Sequence, residues 1–185
     1  LGSTERLELS ERLKLFAISA CMIDADTGRI LYEKNSDEVR AMASTTKIMT
    51  AIVAIENADL QKLITVSDDA IGTEGSSIYL KSGERLTIND LLYALLLESA
   101  NDAATAIAIE IGGSVENFAE MMNEKAHELG LLNTNFSNPH GLDDENHYTT
   151  AYDMALIARE LLKQEDYRSM MSETYYEIPP TEKQP

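Results

Sequence analysis

An apolar run, a polar turn and a second apolar run open the chain and predict a β-hairpin. Residues 16–23 are mostly apolar and predict one strand, and residues 29–33 predict the other. Asp24 and Gly28 bound the turn that joins them. Because a hairpin alone is only marginally stable, we expect further strands to complete its sheet.

Helical patterns of apolar residues dominate the rest of the chain. They predict a helix that starts at Ser44 and further helical segments at residues 68–71, 91–97, 102–111, 115–129 and 154–163. The expected capping residues are Ser67, Ser114 and the box-like pairs Thr87–Asp90 and Thr150–Asp153. Short strands are predicted near 78–80 and 175–178, and a long polar loop at 133–147. Together, these predicted elements form an α+β pattern that lacks the further strands expected to complete the sheet.

Composition adds limits to this picture. With 44% hydrophobic and 25% charged residues, the 185-residue chain suits one globular domain with a real core. The net charge of −17 disfavours nucleic acid as a partner, because such a surface repels phosphates. No apolar run is long enough to span a membrane, and no signal peptide is recognisable. The single cysteine, Cys21, is expected to be a buried structural thiol.

Two histidines raise the question of a metal site. His140 and His147 flank Asp143 and Asp144, and all four side chains are of metal-binding types. Their spacing fits none of the usual zinc patterns, so we predict no metal.

Ser44 and Lys47 form the most distinctive chemical pair in the sequence. Positions i and i+3 of a helix share a face, so the hydroxyl and the amine can meet. A lysine in a water-poor pocket can lose its proton and become the base that activates a serine nucleophile. The alternative is that Ser44 caps the helix and Lys47 is simply exposed, since the pattern Ser-x-x-Lys is common.

Ser99 and Asn101 lie between two predicted apolar helices, where polar side chains suit a cleft. Ser99 could relay a proton to a leaving group, and the Asn101 amide could orient a substrate amide or Lys47. The alternative is a helix–helix turn in which either residue caps the next helix.

Together, the two pairs match the Ser-x-x-Lys motif with a downstream Ser-x-Asn that marks β-lactamases and penicillin-binding proteins. More of the chain resembles the D-alanyl-D-alanine carboxypeptidases, the low-molecular-mass penicillin-binding proteins of bacterial cell-wall synthesis. The resembling segments are 23–28, 31–35, 43–50, 101–104, 138–142 and 149–153. The resemblance runs from about residue 16 to 178 and implies the α+β fold of β-lactamases and DD-peptidases.

The resemblance also implies a serine acyl-transferase mechanism. Ser44 would attack the carbonyl between two D-alanines of a peptidoglycan stem peptide, and Lys47 would accept its proton. Ser99 would help to pass a proton to the departing D-alanine, while Asn101 would hold the peptide amide. A β-lactam would acylate Ser44 in the same way. No metal or organic cofactor is implied, and the expected location is extracytoplasmic, on the cell-wall side.

One departure from the family limits this interpretation. The sequence has no Lys-Thr-Gly motif, which in the family lies on a strand that walls the cleft. We therefore expect residues 1–15 to be a lead-in and residues 16–185 to be an incomplete DD-peptidase domain that lacks the C-terminal sheet strands. Its activity would be reduced or absent. The open hairpin edge would be completed by another strand or by self-association, and any membrane anchor would lie in the missing C-terminal region.

Two other functions remain open. A non-catalytic binding or scaffolding module could keep only the helical half of the fold. A serine β-lactamase would need a carboxylate to activate the deacylating water, and Asp143, Asp144 and Glu145 offer three candidates.

Overall fold

The computed structural model describes residues 15–184, so the predicted lead-in at residues 1–15 lies almost wholly outside it. The described chain contains two antiparallel two-stranded sheets and six α-helices. The strands are β1 (Ala20–Ile23), β2 (Ile30–Lys34), β3 (Leu63–Thr65) and β4 (Arg85–Thr87). The helices are α1 (Lys47–Asn57), α2 (Ile88–Leu97), α3 (Asn101–Gly112), α4 (Val115–Glu128), α5 (Ala151–Leu161) and α6 (Glu165–Ser172).

The predicted N-terminal hairpin is confirmed, with a shorter first strand than expected. Strands β1 and β2 pair antiparallel, and Cys21 lies opposite Glu33. The turn is closed by the Gly28 N–H, which donates to the Asp24 carbonyl at 2.8 Å. Cys21 is only half-buried, which corrects the expectation of a fully buried thiol. The reason is that the hairpin is a two-stranded sheet in the described residues, so parts of it remain open to solvent.

The predicted strands near 78–80 and 175–178 are wrong. Both segments lack strand pairing, whereas the second two-stranded sheet, β3–β4, was not predicted. The backbone of residues 78–80 is held by the side chain of Asp102 instead of a neighbouring strand. The segment at residues 175–178 is held by a side-chain contact and not by strand pairing, because the ring of Tyr176 stacks on that of Tyr93.

Helix α1 lies at the centre of the helical core. Its Met49, Ala51 and Ile52 are fully buried, and it packs against α2, α3, α4 and α5. Alanines occupy much of the buried part of α3, so the helix axes can approach closely and leave little void volume. The core therefore holds rigidly the helix whose first residue is Lys47.

The helix starts follow the predicted capping chemistry, with one correction. Thr87 and Asp90 form a reciprocal capping box, and Ser67 and Ser114 each accept a backbone N–H. Thr150 also caps its helix by accepting the N–H of Asp153. The Asp153 carboxylate does not return that bond. It accepts instead from the 133–134 segment, which ties the long polar loop to α5.

Helix α6 was not predicted, and it is short and polar on most of its surface. None of the helices described between residues 15 and 184 combines the length and apolar character that a membrane crossing requires.

Candidate active site

Ser44 and Lys47 meet at the start of the buried helix α1. Residues Ala43–Thr46 form a single 3₁₀ turn that leads directly into the helix. The Lys47 Nζ lies 3.2 Å from the Ser44 Oγ, as the i, i+3 spacing predicts. Ser44 is exposed whereas Lys47 is only 3% exposed, so an accessible hydroxyl lies directly above a buried amine. Both alternatives for this pair are wrong: Ser44 makes no capping bond, and Lys47 is not on the surface.

The surroundings of Lys47 weaken the preference of its amine for the charged form. Its second partner is the His140 carbonyl oxygen at 2.7 Å, and no carboxylate of the described residues pairs with it. Burial lowers the pKa of the Lys47 amine to about 8. At neutral pH about a tenth of the molecules would then hold a free amine. Such an amine can take the proton of Ser44, which is what a serine nucleophile requires.

The segment at residues 138–142 lies over the start of α1 and supplies two carbonyl oxygens, which accept hydrogen bonds from Lys47 and Thr50. Asn138 shapes this turn, because its Oδ1 accepts the Gly141 N–H at 2.7 Å and its Nδ2 donates to Leu142. The Thr50 hydroxyl donates to the Pro139 carbonyl at 2.6 Å, one helical turn beyond Lys47. The turn therefore helps to fix the position of the Lys47 amine at the start of α1.

One residue beside the first polar pair and one residue within the second have strained backbones. Ala43 has φ of 46° and Ser99 has φ of 56°, both in the left-handed region that non-glycine residues seldom occupy. Such residues persist only where the surrounding structure holds them, and they cluster at functional sites. The strained residue Ala43 directly precedes Ser44, which is exposed at the surface.

Ser99 and Asn101 lie at the junction between α2 and α3, but they do not join the first pair. Within residues 15–184, no hydrogen bond links either of them to Ser44 or Lys47. The Asn101 amide donates to the Glu74 carbonyl at 2.5 Å. Neither residue caps α3, whose N-cap is Ala100 and carries no side-chain bond. The capping alternative is therefore wrong, and the roles of Ser99 and Asn101 towards a substrate stay predictions.

Asp102 is a buried carboxylate that the sequence reasoning missed. It is 1% exposed and accepts from the Ser77 hydroxyl at 2.6 Å and from the Leu80 N–H at 3.0 Å. It thereby holds the loop at residues 76–80 against the start of α3, next to Asn101. The available signal was an acidic residue in the first turn of an otherwise apolar helix.

The two histidines differ in their environments, because His147 is buried whereas His140 is only half-buried. Burial and then the nearby Lys47 and His147 lower the pKa of His140 to about 4, so its ring is neutral. No group of three or more metal-ligating side chains comes together in the part of the chain that the structure describes. The carboxylates of residues 143–145, considered for a lactamase, are exposed, and none of them bonds to Ser44 or Lys47 there.

Comparisons with known proteins agree with this geometry. The chain is 48% identical over 154 residues to the D-alanyl-D-alanine carboxypeptidase DacF of Bacillus subtilis, covering 80% of this chain and 40% of that protein. It is 33% identical to the D-alanyl-D-alanine carboxypeptidase of Streptomyces sp. strain K15, covering 95% and 64% respectively. The crystal structure of DacD from Francisella tularensis superposes with a TM-score of 0.81 at 41% identity, again over 40% of that protein.

These matches confirm the predicted α+β fold class of the DD-peptidases. The chain spans only about two fifths of the length of the Bacillus and Francisella proteins. Residues 7–181 match the model of the peptidase S11 family, D-alanyl-D-alanine carboxypeptidase, and the chain therefore belongs to that family.

Proposed function

We propose that this chain carries the acylation centre of a serine D-alanyl-D-alanine carboxypeptidase. The observation that carries the proposal is the buried Lys47 amine, 3.2 Å from the exposed Ser44 hydroxyl. A serine that faces solvent above a lysine with a lowered pKa has both parts of an activated nucleophile. The substrate would be the D-Ala-D-Ala end of a peptidoglycan stem peptide.

In this mechanism, neutral Lys47 accepts the proton of Ser44 as its oxygen attacks the carbonyl between the two D-alanines. The C–N bond then breaks, and the departing amine receives a proton by way of Ser99. Asn101 holds the peptide amide, for which its side chain must turn from Glu74 towards the substrate. Water hydrolyses the resulting ester and restores the Ser44 hydroxyl. A β-lactam would form the same ester by opening its ring.

The pocket needs more than these residues. The sequence holds no Lys-Thr-Gly, and losing one oxyanion-hole donor lowers a rate by roughly 10²- to 10³-fold. We propose that residues 16–185 are an incomplete catalytic domain, and that the family regions without a counterpart here supply the cleft wall and the strands beside β1 and β2. A second copy could otherwise cover the hairpin edge. The cell-wall side of the membrane is the proposed location, and any membrane anchor would belong to those other regions.

A labelled penicillin tests the proposal. We expect mass spectrometry to show little or no adduct on the 185-residue chain and a stable adduct on Ser44 of the native protein at its full length. The change Lys47→Ala should lower acylation of the full-length protein while its circular dichroism stays unchanged.

Each alternative has its own outcome in this experiment. Rapid destruction of the antibiotic without a lasting adduct would favour a β-lactamase. A folded full-length protein that is never acylated would favour a non-catalytic scaffold and overturn the carboxypeptidase.

A further inference from the structure

His147 is a buried polar residue that the proposed mechanism does not use. It is 3% exposed, and its ring packs edge-on against that of Phe136 at a centroid distance of 5.8 Å. Its Nε2 lies 2.7 Å from the hydroxyl of Thr46, the residue just before Lys47. The long polar loop at residues 133–147 thus places the imidazole of His147 against the 3₁₀ turn that contains Ser44.

The hydrogen bonds around the ring identify its protonation state. The backbone N–H of Ser137 donates to Nδ1 at 3.0 Å, so Nδ1 holds a lone pair and no proton. A neutral imidazole then carries its proton on Nε2. His147 is therefore the donor to Thr46, and the Thr46 hydroxyl is free to donate onward.

The onward bond reaches the backbone beside the nucleophile. The Thr46 hydroxyl donates to the Ala43 carbonyl at 2.7 Å, and Thr46 itself is fully buried. Ala43 has φ of 46°, a conformation that must be held by its surroundings. Three hydrogen bonds in one direction, from Ser137 through His147 and Thr46, end at the residue that sets the direction of Ser44.

We propose that His147, as its Nε2–H tautomer, is a positioning residue that fixes Ser44 for attack through Thr46 and the Ala43 carbonyl. This inference rests on the proposed acylation of Ser44. The aligned nucleophile needs a fixed geometry, because a displacement of about 1 Å can lower a rate by roughly 10²-fold.

The electrostatic environment is consistent with a neutral ring. Burial lowers the pKa of His147, and the nearby carboxylates of Asp144 and Asp143 oppose that effect from the same loop. His140, the other titratable group close to it, is neutral as well. A proton added to Nδ1 would displace the Ser137 N–H and break the first bond of the series.

The test compares two substitutions of Thr46 in the native full-length protein. Thr46→Val keeps the shape but removes the hydroxyl, and Thr46→Ser keeps the hydroxyl. We expect Thr46→Val to lower the penicillin acylation rate per titrated site by about tenfold to a hundredfold, with Thr46→Ser retaining most of that rate. Thr149→Val is the control, because Thr149 is also a buried threonine but its hydroxyl bonds to Thr134 instead.

A purely structural role would lower the melting temperature of Thr46→Val and Thr149→Val alike, while the rate per titrated site stayed unchanged. That result would overturn the inference. If Thr46→Val does not fold, His147→Gln, which keeps an N–H donor, is compared with His147→Met, which has none. The proposal then requires faster acylation in the glutamine variant, and equal rates overturn it.

A spectroscopic measurement separates this inference from the proposed function. Long-range ¹H–¹⁵N spectra should show a proton on Nε2 and none on Nδ1 of His147 at neutral pH. The Ser44 amide resonance should shift in Thr46→Val. If the wild-type protein is never acylated, but its His147 carries the Nε2 proton and the Ser44 amide shifts in Thr46→Val, the carboxypeptidase is overturned and the positioning of Ser44 stays supported. A proton on Nδ1, or an unchanged Ser44 signal, would overturn the positioning role whatever the activity.

Discussion

Gly141 packs so closely against Ala43 that a Cβ atom at position 141 would lie 1.9 Å from the Ala43 carbonyl oxygen. The backbone of Gly141 also has φ of +92°, which disfavours any side chain. The carbonyl that it touches is the one that accepts from Thr46. The contact with Gly141 and the hydrogen bond from Thr46 thus both restrain the carbonyl group just before Ser44.

The first prediction concerns Gly141→Ala, with Gly72→Ala as its control. Gly72 also has a positive φ, of +74°, but nothing lies within 4 Å of the position of its added Cβ. Gly72→Ala should therefore lower the free energy of unfolding by about 1 kcal/mol through backbone strain alone. Gly141→Ala adds the collision and should cost on the order of 3 kcal/mol. Urea unfolding measures both, and equal costs would show that the contact with Ala43 is easily relieved.

The second prediction is a pH dependence of acylation. If Lys47 must be neutral to accept the Ser44 proton, the rate should rise with pH and level off above the pKa of its amine, about 8. Penicillin acylation of the full-length protein between pH 6 and 10 measures this profile. Lys47→Ala should abolish the rise as well as lower the rate. A profile that levels off only near 10.5 would indicate that burial does not tune this lysine.

The third prediction is that the same lysine destabilises the fold. Its folded pKa, about 8, lies below the value of 10.5 for the unfolded chain, so the unfolded chain binds the proton more tightly. Stability should rise with pH between about 8 and 10.5, and the full penalty should be present below 8. Lys47→Met should stabilise the protein at pH 7 by up to about 3 kcal/mol, less the bonds it loses.

Lys125→Met is the matched control for that experiment and should act in the opposite direction. Burial alone would lower the pKa of the Lys125 amine, but the hydrogen bond and the charge of Glu56 raise it overall. The two groups are 2.8 Å apart. Removing this amine should therefore destabilise the fold at pH 7. If both methionine variants change stability in the same direction, the charge argument is wrong for Lys47.

Local sequence patterns were sufficient where one short segment decides the structure. The turn at Asp24–Gly28, the Thr87–Asp90 capping box and the i, i+3 contact of Ser44 with Lys47 all depend on residues within five positions of one another. Strands of three residues, such as β3 and β4, give too few positions to show an alternation. Residues 175–178 had apolar strand-like character, but Tyr176 meets Tyr93 from a different part of the chain.

The remainder of the site depends on contacts between distant segments. The spacing of Ser44 and Lys47 predicts their meeting, but nothing near them shows that the His140 carbonyl binds the amine. The Thr46–His147 bond likewise joins residues 101 positions apart. The sequence assigns no role to Asp102, because its partners at 77–80 lie in a loop without a recognisable pattern.

The last prediction concerns that buried carboxylate. Each oxygen of Asp102 accepts from two groups: Oδ2 from the Ser77 hydroxyl and the Leu80 N–H, and Oδ1 from the backbone N–H groups of Ile78 and Ala103. In Asp102→Asn, either orientation of the amide directs its NH₂ at two donors. We expect a loss on the order of 3 kcal/mol in unfolding free energy and faster proteolysis between residues 74 and 80.

Asp166→Asn is the control, because Asp166 also lies in the first turn of a helix but is exposed. It should cost well under 1 kcal/mol, because it removes only a solvated charge near a helix start. Similar losses in the two variants would mean that Asp102 acts only through the helix dipole and does not hold the loop.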